Sequence, residues 1–173
     1  MALRQILTIP DKRLREKAKP VEKVDDRLRS LMDDMYETMT FDDQGVGLAA
    51  NQIGVLERVI VIDIGPEYNK DPLFMANPEI ISLSRDVITI KDGCLSVPEI
   101  YAETTRSERI VVKYLDRQNR ERTLEASGLL SACLQHEIDH LNGILFVDHL
   151  TALKRKMVLA KALKKGKTNK KKS

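Results

Sequence analysis

Between Asp25 and Thr40, apolar side chains recur at Leu28, Leu31, Met32, Met35, Tyr36 and Met39. Spacings of three and four residues gather them on one face, so the segment is predicted as an amphipathic helix. A stretch of different character follows, Gly45-Val46-Gly47-Leu48-Ala49-Ala50-Asn51-Gln52. It is too apolar for a solvated linker and too rich in glycine for a helix. Short β-branched runs come next. Arg58 to Ile64 and Arg109 to Leu115 are the stronger strand signals, with Val87 to Ile90 and Arg122 to Ala126 weaker. Pro66, Pro72, Pro78 and Pro98 are expected to punctuate the connections. Strands in series without intervening helices favour antiparallel or mixed sheets over a doubly wound one. Past Ser127-Gly128 the period is helical again through Leu129, Leu130, Cys133, His136, Glu137 and His140, stopping at Asn142-Gly143. A last helix is expected from about Thr151 to Lys165.

The predicted class is therefore α+β, with antiparallel or mixed β-sheets packed around a central helix and further helices near both ends. Residues 1–150 read as one domain and 151–173 as a basic helix ending in a disordered lysine-rich tail. The length of 173 residues suits a single domain, and a hydrophobic fraction of 42% is too high for a disordered chain. Two cysteines are too few for a disulfide scaffold. No apolar run approaches the ~20 residues that cross a membrane. The first residues turn polar after Pro10, unlike a secretory leader, so a cytoplasmic, reducing setting is expected. The net charge of +3 conceals an asymmetry. Ten Lys and Arg and no acid lie from Lys154 onward, and the other 19 bases against all 26 acids leave the body at −7. Such a tail points to a polyanionic partner.

His136-Glu137-Ile138-Asp139-His140 is an H-E-x-x-H sequence inside the second helical stretch. On a helix, residues four apart have Cβ atoms about 5–6 Å from one another. Two imidazoles so placed can converge on one metal ion, and Glu137 can reach a water beside it. The plainer alternative is a helix with two incidental histidines flanking a salt-bridged glutamate. Two common completions fail: the third histidine of a metzincin would fall where Phe146 stands, and no Glu follows Glu137 to serve as in thermolysin. Asp148 and His149 are downstream candidates for a third ligand. Upstream the best is Cys94, because a thiolate binds Zn2+ or Fe2+ strongly and Gly93 lets the backbone approach. Its alternative is a small buried hydrophobe. Cys133 reads as packing or pocket lining. One Cys and two His would leave a fourth position open, as a catalytic site needs.

Three segments in this order, Gly45 to Gln52, Gly93-Cys94-Leu95-Ser96 and Gln135-His136-Glu137-Ile138-Asp139-His140, resemble the signature motifs of the peptide deformylases. Ile9-Pro10-Asp11, Ala18-Lys19-Pro20 and the final basic helix are similar as well, so the likeness covers most of residues 3–165. One departure is visible: Asp92 stands where the family usually has Glu, which keeps the charge and shortens the side chain. The resemblance implies removal of the N-formyl group from formylmethionyl nascent chains, with release of formate. It implies one divalent metal, Fe2+ as the working ion, held by Cys94, His136 and His140. Zn2+, Ni2+ and Co2+ also accept such ligands. Glu137 would be the acid–base group, and the Gln52 amide and Leu95 backbone N–H would stabilise the oxyanion. Without the other motifs Gln52 reads as a loop-capping residue. Gly45 and Gly47 would let the substrate backbone approach. Val46, Ile90, Leu129 and Cys133 are expected to line a slot for the methionine side chain. The resemblance also implies a ribosome contact through the basic helix, whose apolar stripe is expected at Met157, Leu159, Ala160 and Leu163. A monomer is expected.

Overall fold

Asp25 starts the first helix, its carboxylate accepting the Leu28 N–H at 3.0 Å and so satisfying a donor the helix leaves open. In this structure, a computed structural model, residues 2–41 and 45–172 are described, as backbone only from Gly166 on. The first helix, α1 (Asp26–Thr40), buries Leu28, Leu31, Met32, Met35 and Met39, the periodic positions. Four strands follow: β1 (Gly47–Ala49), β2 (Val59–Ile62), β3 (Leu73–Leu83) and β4 (Val87–Cys94). Then come β5 (Val97–Ser107), β6 (Arg109–Leu115), β7 (Glu121–Ser127), α2 (Gly128–Leu141) and α3 (Ala152–Lys172). One sheet has the order β1-β2-β3-β6-β7 and a separate hairpin pairs β4 with β5. Among the described residues every pairing between these strands is antiparallel, and the one parallel contact is an isolated bridge between Lys19 and Glu57.

The sequence Val-Ile-Val-Ile of β2 is buried at all four positions because the strand lies between two helices. Successive side chains of a strand point to opposite faces. Val59 and Val61 meet Leu28, Met32, Met35 and Met39 of α1. Ile60 and Ile62 meet Leu130, Leu134, Ile138 and Leu141 of α2. Helix α2 touches β1, β2, β6 and β7 on one side and the β4–β5 hairpin on the other, which makes it the central element.

Two proline expectations are corrected. Pro78 lies within β3 and Pro98 within β5, not in connections. Pro78 is tolerated because it falls in a register shift between Ala76 and Glu79, where Asn77 adopts φ 50° and its side chain ties back to Val21 at 2.8 Å. Pro98 is the second residue after the tight β4–β5 turn. The backbone of α3 runs to Lys172, beyond the expected end near Lys165. Its docked face is also different: Val158, Leu159 and Ala162 pack against Val97, Ile100 and Phe146. Met157 and Leu163 are exposed. The helix rests on a turn through a narrow seam, and a lysine-rich helix carries too few apolar residues for periodicity to choose that seam. Ion pairs join Arg155, in its first turn, to Asp148 and Lys165, farther along, to Glu99.

Candidate metal centre

Cys94 ends β4 at the mouth of the hairpin turn, where its sulfur meets the inward row of α2. Its Sγ lies 3.2 Å from His140 Nε2, which is 3.3 Å from His136 Nε2. All three donor atoms lie within 4.8 Å of one another. A tetrahedral ion with metal–nitrogen bonds of ~2.0–2.1 Å separates two nitrogens by about 3.3 Å, so the spacing fits one shared ion. The thiolate–imidazole chemistry suits Zn2+ or Fe2+. The Ser96 N–H at 3.4 Å and the Gln52 Nε2 at 3.5 Å both donate toward Cys94 Sγ.

His136 donates from Nδ1 to Asp92 Oδ1 at 2.9 Å, which leaves Nε2 free to face the other two donors. Burial opposes ionisation of Asp92, but His136, Arg106 and Thr104 outweigh it and hold the carboxyl at about 2. The shorter Asp therefore still makes the contact. Its alternation with Cys94, two residues on, puts both on the same face of β4.

Glu137 is buried on α2, with Oε2 free of any hydrogen-bond partner among the described residues and Oε1 4.0 Å from His136 Nε2. Burial pushes its carboxyl up to about 7, against the opposing charge of His136. A buried carboxylate oxygen without a protein partner calls for water or a substrate proton. Gly47 makes room for it: a Cβ there would lie 2.5 Å from Glu137 Oε1. Gly47→Ala is accordingly expected to displace this carboxylate and lower kcat about 10-fold or more while metal content stays unchanged. Steady-state kinetics beside metal analysis check it, and unaltered turnover would free Gly47 of that role.

Gln52 lies in a short 3₁₀ turn, Ala50–Ile53, that follows β1 directly. Its Oε1 accepts the Ala49 N–H at 3.0 Å, which turns Nε2 toward Cys94 and to within 3.1 Å of Ser96 Oγ. Leu95 follows Cys94 in the hairpin turn, and its side chain would collide with a Cβ at Gly45. Leu129 and Cys133 are half-buried and continue the row of Glu137 at four-residue intervals along α2. Ile90 is half-buried on the Asp92 and Cys94 face of β4, and Val46 is 52% exposed beside β1. Burial, with the charges of Glu137 and Asp92, pushes the Cys133 thiol up to about 12.

The downstream ligand candidates are engaged elsewhere. Asp148 pairs with Arg15 at 2.6 Å and caps the Leu145 N–H. His149 Nε2 lies 2.8 Å from Asp139 Oδ2. Sequence reasoning missed Thr104 and Arg106, both buried here. Nothing in their local pattern distinguishes them from strand and turn residues facing solvent.

An H-E-x-x-H helix that brings two imidazoles beside a cysteine from an antiparallel hairpin is an arrangement that could hold a metal ion, as in the metal-dependent hydrolases. Residues 3–156 match the polypeptide deformylase family. The chain is 52% identical to a peptide deformylase of Methylocella silvestris over 96% of its length and 87% of the relative's. The crystal structure of peptide deformylase from Ehrlichia chaffeensis superposes with a TM-score of 0.90 at 42% identity, covering 97% of this chain and 99% of that one. A structure of peptide deformylase from the same organism in complex with actinonin gives 0.89 at 44% identity, over 95% and 98%. The chain belongs to the peptide deformylase family, enzymes that remove the N-formyl group from the N-terminal formylmethionine of nascent polypeptides.

Proposed function

We propose that Cys94, His136 and His140 hold one divalent ion and that Glu137 moves the protons as formylmethionyl peptides are hydrolysed. Three donor atoms within 4.8 Å of one another, beside a buried carboxylate oxygen without a partner among the described residues, carry this reading. A divalent ion in such a donor set supplies Lewis acidity, polarising the formyl oxygen and lowering the pKa of a nearby water toward neutrality. Glu137 accepts the proton that water gives up as its oxygen bonds to the formyl carbon. A carboxyl raised to about 7 suits that task near neutral pH. The Gln52 amide and the Leu95 backbone N–H donate to the formyl oxygen as it takes on negative charge. Glu137 then returns the proton to the methionine nitrogen as the C–N bond breaks, leaving formate and a free amino terminus.

Fe2+ is the working ion in this reading, as the family likeness implies, and Zn2+, Ni2+ and Co2+ suit the same donors. Val46, Ile90, Leu129 and Cys133 line the slot for the methionine side chain, with Gly45 and Gly47 beside the peptide backbone. Among the described residues no helix is long and apolar enough to cross a membrane. A cytoplasmic monomer accords with a nascent-chain substrate. A formylated peptide with a susceptible internal bond tests the reaction: formate release with every internal bond intact supports it, and internal cleavage without formate sinks it.

The basic helix α3 is the proposed contact with the ribosome, a polyanion. Truncation would uncover Val97, Ile100 and Phe146, so charge reversal is the cleaner probe. Reversing exposed Lys154, Lys156 and Lys161 to Glu is expected to abolish salt-sensitive co-sedimentation with ribosomes and to leave turnover of short peptides unchanged. Undiminished co-sedimentation would remove the helix from that contact.

A further inference from the structure

Arg106 lies next to the last residue of β5, its side chain 3% exposed, and joins two carboxylates. Nη2 donates to Asp92 Oδ2 at 3.2 Å, and Nη1 donates to Asp139 Oδ2 at 2.9 Å. Asp92 Oδ2 also accepts from Thr104 Oγ1 at 2.8 Å, while its other oxygen receives His136 Nδ1 at 2.9 Å. Asp139 Oδ2 in turn lies 2.8 Å from His149 Nε2. A polar chain thus runs His136–Asp92–Arg106–Asp139–His149 from the metal centre to the turn before α3.

Two buried or half-buried carboxylates need a compensating charge, and only a planar fork can meet both from one side chain. The arrangement bears on His136 directly. Asp92 is one methylene shorter than the family's usual glutamate and has little slack. The donors on its Oδ2 set the direction in which Oδ1 meets the imidazole. Lys at 106 would keep the charge but could not span both partners.

We propose that Arg106 is a positioning residue for the metal centre, orienting Asp92 and through it the His136 ring. The proposal rests on His136 being a metal ligand. Loss of a group that orients a metal-binding histidine typically weakens metal binding 10–100-fold. Full-length holoprotein is therefore challenged with a chelator to give the metal Kd, alongside kcat, KM and the melting temperature of the metal-free form. Arg106→Lys is expected to weaken metal binding about 10-fold and Arg106→Met about 100-fold. In both, kcat at subsaturating metal falls while KM for the formylated peptide holds. Asp139→Asn, which leaves the Arg106–Asp92 contact in place, is expected to weaken metal binding less than Arg106→Lys. A merely structural arginine would lower the melting temperature and leave the Kd of the folded protein unmoved, and that result overturns the proposal. Should Arg106→Met fail to fold, Arg106→Lys decides alone. His136→Ala separates the two readings. If it retains stoichiometric metal, the ligand set fails and the proposal falls with it. If it loses metal while Arg106→Lys binds with the parent affinity, the Arg106 proposal fails by itself.

Discussion

Replacing Glu137 with Gln is expected to leave the fold and the bound metal in place and to lower turnover by roughly 10²–10⁴-fold, the worth of a general acid–base step. Gln is nearly isosteric, so the space that Gly47 leaves beside Oε1 still accommodates it. It can also hydrogen-bond a water. What it cannot do is take that water's proton and deliver it to the departing amine. The loss should therefore appear in kcat, with KM for a formylated peptide nearly constant. Melting curves and metal analysis of the same preparation show whether fold and ion survive. Near-normal formate release from this variant would remove Glu137 from the reaction.

The second large effect separates the two cysteines. Cys94→Ala is expected to lose most of its metal, because two histidines alone make a weak site. Cys133→Ala should keep close to one ion per chain. The difference lies in placement: Cys94 Sγ is 3.2 Å from His140 Nε2 and receives two N–H donors, whereas burial pushes the Cys133 thiol up to about 12, so it stays protonated and ligates poorly. Metal analysis after gel filtration reads both variants. Equal metal in the two would mean that the third ligand is not Cys94.

The outline of this site was legible along the chain because its core is local. His136 and His140 are four apart on one helix, and helical periodicity alone announces that they share a face. Cys94 lies 46 residues before His140, and no local rule connects them. Thiolate chemistry and the flanking Gly93 made it the best upstream candidate, and the family motifs then implied its place in the ligand set. Strands β2 and β6 were legible from β-branched runs, while β1 was hidden by two glycines and a length of three residues. In β3, Pro78 resembled a break because a bulge that accommodates proline is a property of the pairing, not of the strand's own sequence. Arg106 was hidden for a similar reason. A charged residue on a strand reads as solvent-facing until packing brings Asp92 and Asp139 around it. Docking of α3 through Val158, Leu159 and Ala162 likewise depends on the surface it meets, which its own lysine-rich pattern does not encode.

The most direct test of the metal-dependent reaction is a stoichiometric reconstitution. Metal-stripped protein is titrated anaerobically with Fe2+ while formate release from formyl-Met-Ala-Ser is followed. A single site built from Cys94, His136 and His140 requires activity to rise linearly and stop at one ion per chain, with Cys94→Ala flat over the same range. Full activity in the metal-free protein, or a rise that continues to two or more ions per chain, would contradict it.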